Sequence, residues 1–151
     1  MKIEKNDLFL HWLVVGMMLV TLMVYLFICH QFGHELQQTL PEPQRVLIRT
    51  VFYALAIGAF PMTNLIRHVQ LRLNQTMPGN KSPKSRYLLT IIVSMALAEG
   101  VGVLGFVMFM LGDDFNTLYI FLVLSALGLY LYRPKQDEYD RIVDALANRM
   151  E

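Results

Sequence analysis

Long apolar runs separated by short polar connections dominate the chain. Four of these runs are long enough for a helix to cross the roughly 30 Å hydrocarbon core of a bilayer, and they cover residues 8–28, 46–66, 87–111 and 115–132. Pro61 lies inside the second run, where a membrane helix tolerates it with a bend. The pattern predicts an all-α protein whose residues 1–133 form a four-helix transmembrane bundle.

Residues 134–151 follow a different pattern. Tyr139, Ile142, Val143, Leu146 and Met150 recur at the spacing of one helix face, while most of the other positions are polar. This predicts a cytoplasmic amphipathic helix after the membrane domain. Two locations stay open for its apolar face, the membrane surface and a partner subunit.

Basic residues are distributed unevenly between the two ends of the predicted helices. Eleven lysines and arginines lie before the first run, between the second and third, or after the fourth, whereas Arg45 and Arg49 lie on the opposite side. Because basic residues favour the cytoplasmic side, we expect both termini in the cytoplasm and the protein in the plasma (inner) membrane. The turn between the last two runs carries Asp113 and Asp114, which can cap the fourth helix.

The composition excludes some classes of function. Hydrophobic residues make up 55% of the chain and charged residues 17%, against about 25% charge in ordinary soluble domains. The net charge of +1 gives no broad positive field, so we expect contact with membrane lipids and none with nucleic acid. A single cysteine, Cys29, excludes an internal disulfide. No serine–histidine–acid triad, carboxylate pair or phosphate-binding loop supports an enzymatic function.

Glu99 is the only ionisable residue between positions 87 and 111, in the middle of the third run. Its short side chain cannot reach water from there, and charged groups at that depth are costly and usually functional. Candidate partners on the other helices are Arg49 for an ion pair and Ser125, Thr21 and Tyr53 for hydrogen bonds. Two interpretations stay open: a structural acid, protonated or paired with Arg49, and a carboxylate that takes up and releases a proton or cation.

Small residues form a row beside Glu99 on the same predicted helix. Ser94, Ala98, Gly102 and Gly105 are spaced by four, four and three residues, so they lie along one side of the helix. Such rows allow a second helix to approach closely in lipid. At ~100° per residue, Glu99 lies about 60° from Gly102. We therefore expect the acid at the edge of a helix–helix contact.

Histidines raise the question of metal or haem binding. His30 and His34 share a face if the first helix continues past residue 28, but a third metal ligand is lacking, which favours interfacial polar histidines over a metal site. Residues 10–13, Leu-His-Trp-Leu, resemble the start of the first helix in di-haem cytochromes of the b561 type, which makes His11 and His68 the candidate haem ligands. That family needs histidines inside its other helices as axial ligands, and the second, third and fourth runs have none, so no cofactor is predicted.

The third run also resembles a known membrane protein family. The segment from Met95 to Val107, Met-Ala-Leu-Ala-Glu-Gly-Val-Gly-Val-Leu-Gly-Phe-Val, is similar to the second helix of the rotor proteolipid, subunit c, of rotary ATP synthases. The basic polar loop before it and the small residues within positions 54–59 extend the likeness to a helical hairpin. The resemblance implies that Glu99 corresponds to the proton- or ion-carrying carboxylate of that family.

Three functional hypotheses follow from these features. The first is a non-enzymatic accessory or assembling subunit of a membrane complex, in contact with other membrane subunits or with a second copy. The second is a proteolipid-like protein that translocates protons or cations through Glu99. The third is a small-molecule transporter that must dimerise, because four helices are too few to enclose a path and no inverted repeat is evident.

Overall fold

The computed structural model describes residues 8–149, all of whose regular structure is helical. Five helices follow one another: α1 (Phe9–Leu36), α2 (Glu42–Thr76), α3 (Pro83–Met110), α4 (Phe115–Leu131) and α5 (Gln136–Arg149). The predicted all-α class is confirmed for this part of the chain. Lys2 and Lys5 of the basic count, and Met150 of the amphipathic face, lie outside the described residues.

Three of these helices are long and apolar enough to cross a membrane, namely α1, α2 and α3. The fourth predicted run forms α4, which has only 17 residues. It is joined to α5 through a bend of 41°, and the two together pass the same test as one broken span. By length and composition the structure therefore has three candidate spans, and a fourth if the bent pair is counted.

The first two helices extend beyond the predicted apolar runs. The last residues of α1 remain helical because they pack on α3: Cys29 and Gly33 are buried, and a Cβ atom on Gly33 would lie 2.6 Å from the Phe109 ring. The polar end of α2 is fixed by side-chain contacts, such as the 2.7 Å hydrogen bond that Asn74 Nδ2 donates to Thr90 Oγ1. The apolar runs therefore locate the helices, and tertiary contacts set where α1 and α2 end.

The third helix is the centre of the structure, because it contacts all four of the others. Its most extensive contact is with α4, while α1 and α2 pack against different parts of its surface and have no comparable contact with each other. The buried residues of α3 recur along its whole length, from Arg86 to Phe109. The other long helices have few buried residues, so most of their apolar surface faces outward.

The amphipathic helix α5 uses its apolar face inside the chain. Tyr139 and Ile142 are buried in the same cluster as Leu8, Tyr87 and Ile91, and the helix packs against α2 and α3. Neither of the two locations predicted for this face, the membrane surface or a partner subunit, is the one observed. The end of the molecule that is covered by α5 is called the α5 end below.

Candidate functional site

Glu99 lies in the middle of α3, on the side that faces α1. The residue is only 7% exposed. Tyr25 of α1 is close enough to interact electrostatically with the carboxyl group, and the Tyr25 ring packs on Phe106 of α3 with 5.1 Å between ring centroids. We call Glu99, Tyr25 and Phe106 the Glu99 site.

The carboxyl group of Glu99 is incompletely satisfied. Its Oε2 atom is buried and has no hydrogen-bond partner within residues 8–149, and the same holds for the Ser94 hydroxyl five residues earlier. An unpartnered polar atom inside a protein carries a desolvation cost of about 1–3 kcal/mol. A proton carried by the acid, or a small ligand bound beside it, would lower that cost.

The three residues predicted as hydrogen-bond partners of Glu99 make other contacts. Ser125 donates a 2.8 Å hydrogen bond to the carbonyl oxygen of Ala98. Thr21 donates to the carbonyl oxygen of Met17 in its own helix, at 2.9 Å. The Tyr53 ring stacks on Phe121, with ring centroids 4.7 Å apart. The Ser125 and Thr21 hydroxyls therefore bind backbone carbonyl oxygens, the Tyr53 ring packs on α4, and no hydrogen bond joins any of the three to Glu99 among the described residues.

Arg49, the predicted ion-pair partner, binds Asp113 instead, with Nη1 and Oδ1 3.2 Å apart. Glu99 lies eleven residues before the end of α3 at Met110, which is about 16 Å along the helix axis. Asp113 follows that end directly, so the Arg49 side chain meets it first. The neighbouring Asp114 caps α4 by accepting a hydrogen bond from the Thr117 amide, as predicted.

The row of small residues on α3 is occupied within the chain. Ser94, Ala98, Gly102 and Gly105 are all buried. A Cβ atom on Gly102 would lie 2.6 Å from Leu22 of α1 and 3.2 Å from the Ser125 hydroxyl of α4, and one on Gly105 would overlap Phe121 of α4. This row therefore brings α1 and α4 close to α3 and leaves no room there for another subunit.

The candidate metal-binding histidines lie in the last two turns of α1. His30 lies on the helical continuation of α1, where its Nε2 atom is 3.0 Å from the Tyr119 hydroxyl and its ring stacks on Phe115. His34 is exposed one turn later. Within residues 8–149 no group of three or more histidine, cysteine or acidic side chains could hold a metal ion.

The candidate haem ligands belong to helices that do not pack on each other. His11 of α1 is buried, with its ring 5.2 Å from Tyr87 and 6.5 Å from Tyr139. His68 of α2 is exposed and lines a surface groove near α5. The structure gives them different surroundings and does not bring them to a shared site.

A second buried charged group lies at the α5 end. Arg67 of α2 is only 5% exposed, and its guanidinium group binds both carboxylate oxygens of Glu138 on α5. It also donates to the carbonyl oxygens of Tyr132, at 2.7 Å, and Arg133, at 3.1 Å. The Tyr87 hydroxyl donates to the same carboxylate at 2.8 Å. We call Arg67, Glu138 and Tyr87 the Arg67 cluster.

The Arg67 cluster holds Glu138 in its ionised form. Burial raises the pKa of this carboxyl, but the hydrogen bond and positive charge of Arg67 outweigh burial, with further help from Tyr87 and Lys135. The net pKa therefore lies below the usual 4.5. A carboxylate kept ionised by a buried arginine is a structural link between α2 and α5.

Sequence reasoning did not find the Arg67 cluster, although part of the signal was present. Arg67 follows the second apolar run, Tyr87 opens the third and Glu138 lies just after the fourth, so all three belong to one predicted membrane face. Many other polar residues share that face. Only the packing of α5 selects which of them meet.

Arg86 has a comparable role in the loop between α2 and α3. It is buried, and its guanidinium group donates to four carbonyl oxygens at 2.8–3.2 Å, those of Asn74, Met77, Gly79 and Lys81. The sequence groups this arginine with the other basic residues that orient the protein in the membrane. In the structure it shapes the loop.

Neither protein-family models, nor curated proteins, nor solved structures include a match to this chain.

The Glu99 site and the Arg67 cluster differ in what they can do. In the Arg67 cluster the arginine and the carboxylate are paired with each other, whereas Glu99 retains an unpartnered atom. A group that exchanges a proton or ion needs an atom that is free to bind it, while a structural ion pair does not.

Proposed function

We propose that this chain is a non-enzymatic integral protein of the plasma (inner) membrane and an accessory or assembling subunit of a membrane complex. In this proposal α1 to α4 all span the bilayer and both termini are cytoplasmic. The eleven-to-two distribution of basic residues supports that orientation, and α5 then covers the cytoplasmic ends of α2 and α3.

The observation that carries the proposal is a row of small residues on the outer face of α2. Thr50, Ala54 and Gly58 recur every four residues and are exposed, and a Cβ atom on Gly58 would meet nothing within 4 Å. In lipid, such rows are where helices approach each other closely. The comparable row on α3 is already filled by α1 and α4, so we assign the partner contact to α2.

The chain offers a matched pair of variants for testing this contact. Gly58→Leu adds a large side chain to the row on α2, whereas Gly16→Leu makes the same change on α1, where the glycine is equally open and its helical neighbours Trp12 and Val20 are large. Native mass spectrometry of protein purified from its own membranes in mild detergent measures the assembly. We expect a defined larger complex in the wild type and Gly16→Leu, and its loss in Gly58→Leu.

Three results would go against the proposal. A monomer in the wild type would remove the subunit function. A complex that survives Gly58→Leu would place the contact on another face. A closed homo-oligomer that contains no other protein would favour the second candidate function instead.

The second candidate is translocation of protons or cations through Glu99. The unpartnered Oε2 atom in mid-membrane favours it, and so does the resemblance of the surrounding segment to the ion-carrying helix of subunit c. Glu99 here faces α1 of its own chain, so exchange of the proton requires a path between α1 and α3 or a displacement of α1.

Proton flux into vesicles that contain the purified protein tests this candidate directly. Glu99→Gln keeps the size and polarity of the side chain but cannot release a proton. Translocation predicts flux in the wild type that Glu99→Gln abolishes while the helix content by circular dichroism is unchanged. Equal flux in both proteins, or none in the wild type, would exclude the candidate.

A further inference from the structure

A groove of about 490 Å³ opens at the α5 end between α2, the turn after α4, and α5. An adjoining hollow of about 100 Å³ shares its wall of His68, Leu71, Glu138 and Arg141 and adds Arg72. Neither volume is used by the Glu99 site. Because the two cavities have these four lining residues in common, we treat them as one groove.

The groove has an excess of positive charge. Glu138 forms part of its wall, but the ion pair with Arg67 neutralises that carboxylate. Lys135, Arg141 and Arg72 are exposed at the rim and form no ion pair with any described residue. Lys135 acts electrostatically on Glu138, but Glu138 is the only acidic residue in the wall and is already paired with Arg67. Cations therefore outnumber carboxylates around the opening, so the groove is complementary to an anion.

The other end of the groove is apolar. Phe60 lies seven residues before Arg67 on α2, about 10 Å deeper along the helix, and Leu131 is the last residue of α4. Both line the groove. The order from apolar depth to basic rim is the order of groups in a phospholipid that enters from the membrane, with its acyl chains inward and its phosphate outward.

We propose that this groove binds an anionic phospholipid of the cytoplasmic leaflet, with the phosphate at Lys135, Arg141 and Arg72 and an acyl chain along Phe60 and Leu131. Basic pockets between helices at that membrane face have the charge and position that such headgroups require. The inference rests on the proposed membrane orientation and is independent of the partner contact on α2.

Native mass spectrometry of protein released from nanodiscs tests the site. Nanodiscs of phosphatidylcholine alone are compared with nanodiscs that contain added phosphatidylglycerol, and the lipid retained on the protein is identified and counted. We expect preferential retention of phosphatidylglycerol. The variant Lys135→Gln/Arg141→Gln should weaken retention by roughly five-fold for each cation removed.

Lys81→Gln/Lys84→Gln is the matched control, because it removes the same charge from the same end of the molecule outside the groove. It should retain the lipid as the wild type does. The single variant Arg72→Gln changes an exposed residue of the groove. Its lipid retention tests the site even if the double variant fails to fold. Circular dichroism verifies the helix content of each protein.

Three outcomes would overturn the proposal. Equal retention of both lipids would show that the groove does not select an anion. If the groove variant and the control lost the bound lipid equally, retention would depend on the overall surface charge and not on the groove. Displacement of the lipid by inorganic phosphate or glycerol phosphate at low concentration would show a site for a soluble anion. None of these outcomes alters the assembly measured with Gly58→Leu.

Discussion

The Glu99 site and the Arg67 cluster are two buried ionisable regions of one helix bundle, and they differ in what surrounds them. Arg67 lies where α4 ends, and the carbonyl oxygens of Tyr132 and Arg133 accept its hydrogen bonds. Glu99 lies in the middle of α3, where backbone groups are already paired within their helices. A buried charge at a helix end finds backbone partners, whereas one in mid-helix depends on side chains or a ligand.

The difference has a direct cause in helix geometry. The last carbonyl groups of a helix have no partner within it, and they carry partial negative charge. Arg67 satisfies these groups and its own guanidinium at the same time. No comparable donors reach Glu99, and its Oε2 atom stays unpartnered. We therefore expect substitutions in the two regions to have unequal costs.

Arg67→Met should have the largest effect. It removes the ion-pair partner of the partly buried Glu138 and leaves only the more distant Lys135 to act on it, so the cost approaches the lower end of the about 3–5 kcal/mol for breaking a buried pair. The melting temperature in detergent should fall well below that of Arg72→Met, the exposed control on the same helix. Adding Glu138→Gln should recover part of the loss, because the uncompensated carboxylate is removed. Equal melting temperatures for Arg67→Met and Arg72→Met would show that the cluster does not stabilise the fold.

Gly102→Ile should have the next largest effect. A side chain there overlaps Leu22 and the Ser125 hydroxyl, and overpacking of this kind costs about 1–3 kcal/mol. Gly100→Ile is the control, because its Cβ atom would meet nothing within 4 Å. Thermal unfolding of both variants in the same detergent measures the difference. Similar losses would mean that α1 and α4 do not approach α3 as closely as described.

The Arg67 cluster should also give a smaller, pH-dependent contribution. The folded pKa of Glu138 lies below 4.5, its usual value, so its stabilisation is present above that pH and is lost as the pH falls through the folded pKa. The wild type should therefore lose more stability on acidification than Glu138→Gln does. Melting temperatures of both proteins across this range provide the measurement. Parallel curves would show that Glu138 does not contribute.

Glu99→Leu should have the smallest effect on stability. The Oε2 atom has no partner to lose, and replacing an unsatisfied polar group by an apolar one of similar size is close to neutral or stabilising. We expect a melting temperature within experimental error of the wild type or above it. A clear decrease would reveal a partner of Glu99, such as a bound ion, and would remove the contrast between the two regions.

Much of the helical architecture is predictable from the sequence. The apolar runs anticipate α1 to α4 and the periodic C-terminal segment anticipates α5, because hydrophobic periodicity is a local property of the chain. Asp114 was predicted as a cap and is one, because capping involves residues three positions apart. The ends of α1 and α2 were placed too early, since contacts with Phe109 and Thr90 extend them.

The position of Glu99 along its helix could be predicted from the sequence, but the contacts of the buried charged residues could not. The sequence by itself determined that an acid lies in the middle of a long apolar run, that small residues flank it, and that most basic residues lie before the first run, between the second and third, or after the fourth, because each follows from order and spacing along the chain. The tertiary structure alone decided that Arg49 meets Asp113, that Arg67 meets Glu138 and that Oε2 of Glu99 meets no partner. These pairings depend on how helices distant in sequence pack and on where their ends expose backbone groups, which spacing along the chain does not encode.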